Sequence, residues 1–245
     1  MFAALVVAIA LGAQVEFYRL TRAAGARPLV VVGLAAGVAA VLWPVVPELR
    51  LALPIALLAL VPAVLWGRAE TPIPDAATTA FGVLYPALLA SSLVVLRLAD
   101  VPWLAGTEPF WLTLAVLMTV WASDSFAYIA GRLFGKTKLF ERVSPKKTWE
   151  GAGGGLLGAA VFVGAFKLTV LSDVLGWADV AAIAVAAGVV GPVGDLAESL
   201  FKRSVEVKDS ATWLPGHGGL LDRIDATLVA VPVVALWFEL TRGLL

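Results

Sequence analysis

Eight apolar stretches, each close to the length that crosses a bilayer, divide this chain into hydrophobic segments joined by charged loops. A hydrocarbon core about 30 Å thick takes about 20 apolar residues of α-helix. A helix satisfies its own backbone hydrogen bonds, which an open sheet in lipid cannot do. The sequence therefore predicts an all-α, polytopic integral membrane bundle of about eight helices. The stretches cover residues 1–18, 28–46, 50–66, 79–97, 110–131, 151–171, 178–200 and 224–241.

Composition excludes several classes of protein. Hydrophobic residues make up 60% of the chain and charged residues 15%, whereas soluble domains have about 45–50% and 25%. The absence of cysteine removes disulfides, thiolate catalysis and cysteine-based zinc sites. A single histidine, His217, rules out a multi-histidine metal site, and the zero net charge gives no indication of a nucleic-acid partner.

Basic residues predict the orientation in the membrane. Cytoplasmic loops are enriched in Lys and Arg. With the N-terminus outside, only four of the 18 basic residues face outward: Arg50, Arg97, Lys167 and Arg242. We therefore expect a protein of the inner (plasma) membrane whose two most charged loops face the cytoplasm. We expect residues 1–245 to form one membrane domain, with N-terminal helices in 1–109 and catalytic helices and loops in 110–245.

The segment from Ser199 to Asp225 places acids, bases and a glycine-rich turn between the last two apolar stretches. A charged residue at the bilayer centre costs about 2.5–3.5 kcal/mol, so such a cluster normally lies on a polar ligand. Helical residues three or four apart share a face, so Asp195, Glu198 and Ser199 project together, and Asp222 and Asp225 repeat the arrangement. Two helix ends would then direct carboxylates at one point, as Mg²⁺ requires.

Basic residues and glycines complete this segment. Lys202, Arg203 and Lys208 supply phosphate donors, although the same charges could form an interfacial salt-bridge cluster without a ligand. Glycines in the turn at 215–219 let main-chain N–H groups approach an anion. His217 within it could bind phosphate, shuttle a proton or cap a helix, and the sequence leaves these roles open.

A second polar group begins inside the fifth apolar stretch, at Asp124. An ionisable residue inside a membrane helix is a functional candidate, although Ser, Tyr or Lys neighbours could equally satisfy this carboxylate. The basic loop that follows places Lys146 and Lys147 before a glycine-rich helix, whose N-terminus favours an anion. The two lysines could instead anchor anionic lipid. The loop lacks G-x-x-x-x-G-K-[ST] and is not a Walker A site.

These motifs closely resemble the phosphatidate cytidylyltransferase, or CDP-diacylglycerol synthase, family. Its signature S-x-x-K-R-x4-K-D-x5-P-x-H-G-G-x-x-D-R-x-D matches from Ser199 to Asp225. The D-S-x-A-Y run from Asp124 and the S-P-K-K-T-W-E-G run from Ser144 are also similar to family features. The resemblance spans at least residues 124–225, and no family signature is evident before about residue 110. Fixed positions of the signature are Ser199, Lys202, Arg203, Lys208, Asp209, Pro215, His217, Gly218, Gly219, Asp222, Arg223 and Asp225.

The resemblance implies that CTP and phosphatidate react to give CDP-diacylglycerol and pyrophosphate, with Mg²⁺ required. We expect membrane lipid as a further partner and leave open a second cation and a homodimer. The hypothesis gives Asp195, Asp222 and Asp225 to metal and catalysis, together with Lys202. The expected substrate- and phosphate-binding residues are Ser199, Arg203, Lys208, His217, Arg223, Lys146, Lys147 and Asp124.

Two kinds of alternative remain at this point. A related CTP-dependent polyprenol or phytol kinase, or a cytidylyltransferase acting on an ether lipid, would use similar phosphate and metal chemistry. An ion-coupled transporter would also need acids in the membrane. Transporters usually place the site near the midplane in broken helices, whereas these acids gather at helix ends.

Overall fold

The computed structural model describes residues 1–66, 70–210 and 218–245 of the chain. A 3₁₀ turn (Pro47–Leu51) and two π-helical turns (Val83–Leu88 and Ala186–Val190) lie between the α-helices. The two strands are β1 (Lys138–Phe140) and β2 (Ser144–Thr148). The helices are α1 (Phe2–Ala23), α2 (Val30–Leu42), α3 (Ala52–Trp66), α4 (Pro72–Gly82), α5 (Leu89–Leu98), α6 (Glu108–Phe134), α7 (Trp149–Leu168), α8 (Trp177–Val185), α9 (Gly191–Ser204) and α10 (Leu221–Arg242).

The described helices confirm the prediction of a polytopic helical membrane protein. Within the described ranges, seven helices are long and apolar enough to cross a bilayer, and α2 is a shorter apolar helix of 13 residues. Helices α4 and α5 run through a π turn as one span, Pro72–Leu98, and α8 and α9 do the same over Trp177–Ser204. The outside position of the N-terminus and the single membrane domain stay predictions.

Several predicted segment boundaries are wrong: α1 continues to Ala23 beyond residue 18, and the seventh span continues to Ser204 beyond residue 200. Two further differences have a clear physical reason. Helix α2 ends at Leu42 instead of continuing to residue 46, because Pro44 has no N–H to donate to the carbonyl four residues earlier. Pro44 therefore lies beyond the end of the helix. The fourth span begins at Pro72 instead of residue 79, because the polar residues of its first turn are satisfied. The buried Asp75 accepts hydrogen bonds from the Thr71 hydroxyl (2.7 Å) and the Arg27 N–H (2.6 Å).

Prolines account for both π turns. Proline lacks an N–H and its ring collides with the carbonyl four residues earlier, which widens or breaks a helix. Pro86 lies inside the turn Val83–Leu88, and Pro192 closely follows the turn Ala186–Val190. Both spans continue past their proline, so a helical connection is kept between α4 and α5 and between α8 and α9.

The described chain divides into two units, the first made of residues 1–94 and 201–224. Its core contains a cluster of four aromatic rings whose centroids lie 5.5–6.2 Å apart. The cluster joins α1, the fourth span and the end of α9. Buried Gln14 of α1 donates to the Gly33 carbonyl at 2.8 Å. The four rings belong to Phe17, Phe81, Tyr85 and Phe201.

The second unit contains residues 95–200 and 225–245. Helix α7 packs against α6 through its glycines: a Cβ on Gly155 would lie 3.0 Å from the Ser123 carbonyl oxygen. Asp179, at the start of α8, accepts hydrogen bonds from the Gly176 N–H (2.7 Å) and the Trp237 indole (2.8 Å). Asp179 also pairs with Arg242, so the start of α8 is fixed to the end of α10.

A β-hairpin occupies the segment between α6 and α7, which the sequence analysis described only as a basic loop. Strands β1 and β2 are antiparallel, with Lys138 opposite Thr148. The Thr148 side chain caps α7 by accepting a hydrogen bond from the Gly151 N–H at 3.1 Å. The hairpin therefore presents Lys147 directly before the first turn of α7.

Candidate functional site

The predicted site residues fall into both units. In the first unit are Lys202, Arg203, Lys208, Asp222 and Arg223. The second unit contains Asp124, Lys146, Lys147, Asp195, Ser199 and Asp225. His217 and Pro215, which the sequence analysis also named, lie outside the described residues. Each group is described by itself below.

In the first unit, the Asp222 carboxylate lies at the start of α10 and contacts these four donors of the described residues. One oxygen, Oδ1, pairs with Lys202 Nζ at 2.5 Å. The other, Oδ2, accepts from the Gly219 N–H at 2.6 Å and from both the N–H and the hydroxyl of Ser210 at 3.0 Å. The side chains of Lys202 and Asp222 are only 11% and 14% exposed. The pair is therefore largely removed from solvent.

A second acid, Glu16 of α1, holds the N-terminus of α10. Its fully buried carboxylate accepts hydrogen bonds from the N–H groups of Leu220 (2.9 Å) and Leu221 (2.8 Å) and from the Ser210 hydroxyl (2.8 Å). The first N–H groups of a helix have no partner within the helix, and the helix dipole favours an anion there. Sequence reasoning missed Glu16, although an acid inside an apolar span is a signal in itself.

The two glycines of the HGG motif that the structure describes have a stereochemical role. Gly218 has a φ of 68°, in the left-handed region that side chains disfavour. A Cβ on Gly219 would lie 2.9 Å from Cδ of Glu16. The sequence analysis expected main-chain N–H groups here to approach an anion. In the structure, the Gly219 N–H approaches the carboxylate of Asp222.

In the second unit, Asp195 of α9 pairs with Lys147 from the end of the hairpin. Their charged atoms lie 2.6 Å apart, and the side chains are 33% and 25% exposed. The Ser199 hydroxyl, one turn further along α9, contacts the other oxygen of Asp195 at 3.4 Å. Asp124 of α6 interacts electrostatically with both Asp195 and Lys147. The structure thus brings together four predicted site residues from three elements distant in sequence.

Helices α9 and α10 are in direct contact beside two of the predicted metal ligands. A Cβ on Gly194 would lie 2.8 Å from the Asp225 carbonyl oxygen and 2.7 Å from a methyl group of Val229. Only glycine allows this approach. Asp225 itself is 9% exposed, and its carboxylate accepts from the Ala226 N–H at 2.6 Å. Asp195 is the residue after Gly194, so it is adjacent in sequence to this contact between α9 and α10.

The remaining predicted cations lie on exposed surface. Arg203 donates to the Val207 carbonyl at 3.1 Å. Lys146, Lys208 and Arg223 are exposed. These side chains have access to a soluble polyphosphate, unlike Lys202.

The donor chemistry fits a hard cation that takes part of its ligands from substrate. Among the described residues, neither unit gathers three His, Asp or Glu side chains closely enough to hold a metal ion alone. Asp195 and Asp222 each hold a lysine ammonium group, at 2.6 and 2.5 Å, so both carboxylates already accommodate a cationic partner. Mg²⁺ usually binds through one or two carboxylates together with water and substrate phosphates. The aspartates are suited to that mode of binding.

Comparison with known proteins gives one family for the chain. A model of the cytidylyltransferase family matches residues 1–241. A phosphatidate cytidylyltransferase of Haemophilus influenzae is 45% identical over 130 residues, which is 52% of this chain and 45% of that protein. The Pseudomonas aeruginosa enzyme of the same name is 47% identical over 135 residues, or 51% and 47%. That of Brucella abortus biovar 1 is 41% identical over 160 residues, or 64% and 56%. The chain spans about half the length of the curated relatives it matches.

Proposed function

Because this chain belongs to the cytidylyltransferase family, we propose that it transfers the cytidylyl group of CTP to phosphatidate, giving CDP-diacylglycerol and pyrophosphate. The observation that carries this proposal is the 41–47% identity to bacterial proteins named phosphatidate cytidylyltransferase. The two aspartate–lysine pairs, within the stretches that carry the family motifs, support it. No comparison favours a lipid kinase, an ether-lipid cytidylyltransferase or a transporter.

The proposed reaction makes limited chemical demands on the protein. A phosphate oxygen of phosphatidate forms a bond to the α-phosphorus of CTP, and the bond from that phosphorus to the β-phosphate oxygen breaks, so pyrophosphate leaves. A phosphate monoester has a second pKa of about 6, so the nucleophile is already largely ionised at neutral pH. The protein therefore has to position two anionic reactants and offset their charge. His217 is not required as a general base.

The two lysines that pair with aspartates are suited to that task. Lys147 and Lys202 each hold an ammonium group at a fixed position before substrate binds. A preorganised charge needs no reorientation during the reaction, and groups of this kind contribute strongly to catalysis. Arg203, Lys208 and Arg223 bind phosphates from more exposed positions, and Lys146 does so beside Lys147. Ser199 and Asp124 orient the Asp195–Lys147 pair.

Asp195, Asp222 and Asp225 hold a divalent cation, Mg²⁺, in this proposal. When bound, such a cation offsets charge on the phosphates and templates the two reactants. The packing of α9 on α10 beside Asp225 supports a shared role for Asp195 and Asp225. Because Asp222 lies three residues before Asp225 on α10, helical periodicity places it on the same side of that helix.

The activity test uses the purified full chain in detergent or nanodiscs. With α-labelled CTP, Mg²⁺ and phosphatidate, we expect labelled CDP-diacylglycerol and equimolar pyrophosphate. Asp195→Asn should lower turnover by about 100-fold or more, as loss of a preorganised charged group does. Asp173→Asn, which changes an exposed acid of the same unit, should leave turnover unchanged. Efficient transfer to a polyprenol or an ether lipid but not to phosphatidate would refute the proposed acceptor.

The site faces the cytoplasm of the inner membrane in this proposal, as the distribution of basic residues supports. The chain has no native cysteine, so single cysteines report topology without interference. In intact cells, an impermeant maleimide should label Asp100→Cys in the α5–α6 loop and should not label Arg142→Cys in the hairpin until the membrane is opened. Both positions are exposed on the protein. The reverse pattern would invert the orientation.

A further inference from the structure

The carboxylates of Glu16 and Asp222 share one hydroxyl group. The Ser210 oxygen lies 2.8 Å from Oε2 of Glu16 and 3.0 Å from Oδ2 of Asp222. A serine hydroxyl has one hydrogen, so it donates to only one of the two acids at a time. The Ser210 N–H keeps its own contact with Asp222 in either case. The hydroxyl thus links an acid of the first helix to a residue assigned to the reaction.

Glu16 also fixes the backbone directly before Asp222. Its carboxylate holds the N–H groups of Leu220 and Leu221, directly before Asp222. Gly12, one turn earlier on α1, leaves space that the Leu220 side chain fills: a Cβ at Gly12 would collide with it. Glu16 is fully buried, and a buried carboxylate that accepts from three donors of the described residues is held in one geometry. Three of the four positions from 219 to 222 therefore contact either Glu16 or the Asp222 carboxylate through their N–H groups.

From this geometry we propose that Glu16 is a positioning residue for Asp222. It sets the orientation of the Asp222 carboxylate toward a divalent cation and the substrate phosphates, through Ser210 and the first turn of α10. The inference rests on the proposed function, because it assigns Glu16 a role in the reaction that acts through Asp222. It adds the first helix to the functional machinery.

Two variants test the link. Glu16→Gln keeps the size of the side chain but replaces one acceptor oxygen with a donor, so the N–H of either Leu220 or Leu221 loses its acceptor. Ser210→Ala removes only the bridging hydroxyl and leaves the contacts of Glu16 with the helix. We expect both variants to raise the Mg²⁺ concentration for half-maximal activity, Glu16→Gln by about tenfold or more and Ser210→Ala by less. The KM for CTP measured at saturating Mg²⁺ should change much less.

A second readout does not depend on turnover. Mn²⁺ bound in the presence of CTP, without phosphatidate, is measured by the loss of the free Mn²⁺ signal in electron paramagnetic resonance. Glu16→Gln should weaken this binding by the same factor as it raises the Mg²⁺ requirement. Gln14→Met is the matched control, because Gln14 is an equally buried polar residue of α1 whose hydrogen bonds go to Tyr18 and Gly33. It should lower the melting temperature without changing the cation dependence.

The outcomes separate this inference from the proposed function. If Asp222→Asn binds Mn²⁺ and turns over normally, the assignment of Asp222 to the site fails and the inference fails with it. If Asp222→Asn is inactive while Glu16→Gln and Gln14→Met show equal cation dependence, Glu16 is only a structural residue. A loss of Mn²⁺ affinity in Glu16→Gln but not in Gln14→Met, at similar melting temperatures, supports positioning.

Discussion

The Lys202–Asp222 pair allows a quantitative prediction from a double-mutant cycle. Removing one partner of a buried ion pair costs about 3–5 kcal/mol, because the other charge is left uncompensated. Here Asp222 keeps at least the three donors of the described residues that contact Oδ2. Both side chains also retain slight exposure, 11% and 14%. We therefore expect Lys202→Met to cost about 2–3 kcal/mol of unfolding free energy, below the value for complete burial.

The companion variant, Asp222→Asn, should depend strongly on Lys202. Its amide oxygen can keep the contacts with Ser210 and Gly219, which places the amide NH₂ group against the Lys202 ammonium. Two donors then face each other at the position of the native ion pair. In the Asp222→Asn background, removing the lysine charge should therefore cost close to nothing. The coupling energy of the cycle should be about 2 kcal/mol or more, within the range for residues in one network.

Thermal unfolding in one detergent at one scan rate measures the cycle. For a chain of this size, 1 kcal/mol corresponds to about 2–4 °C, so Lys202→Met alone should lower the melting temperature by about 4–12 °C. The double variant should melt close to the less stable single variant. Effects of the two substitutions that add to within about 0.5 kcal/mol would show that the side chains do not interact, and the ion pair would be refuted.

Three further predictions concern packing and capping. Gly194→Ala should lower the unfolding free energy by about 1–3 kcal/mol, because it overpacks α9 against α10. Gly153→Ala, whose added Cβ would meet nothing within 4 Å, should leave stability unchanged or raise it. The melting temperatures of the two variants test this difference. Asp179→Ala leaves Arg242 without its carboxylate and should lower the unfolding free energy by about 3 kcal/mol. Activity at low temperature should persist, because Asp179 and Arg242 are distant in sequence from every predicted site residue. A loss of turnover that parallels the loss of stability would contradict this. Thr148→Ala removes the cap of α7 and should lower the unfolding free energy by about 1 kcal/mol. Thr148→Ser, which keeps the hydroxyl, should retain most of that stability.

Much of the fold follows from local properties of the sequence. Apolar length predicts the membrane spans, because a helix in lipid must satisfy its own hydrogen bonds. Errors in the helix boundaries had two causes. Pro44 ends α2 early. Asp75 allows the fourth span to begin early, because the N–H of Arg27, distant in sequence, satisfies its carboxylate. The hairpin before α7 was missed because its strands have only three and five residues.

The candidate site was predictable where its residues are close in sequence. Helical spacing indicates that Ser199 and Asp195 share a face, and their side chains are in contact. The pairing of Lys147 with Asp195 joins segments 48 positions apart, which no periodicity indicates. Glu16 was missed for the same reason, since its partners lie 194–205 positions away. Its isolation within an apolar helix was the one available signal.

The contact between Glu16 and the start of α10 also has a consequence for biogenesis. Its two backbone donors lie 204 and 205 positions later in the chain. Translation proceeds at about 5–20 residues per second, so a ribosome needs about 10–40 s to supply them after the first helix has left the exit tunnel. During that interval the nascent helix carries an acid whose final hydrogen bonds do not yet exist. The first unit, which begins with α1, is therefore completed only when the start of α10 has been synthesised.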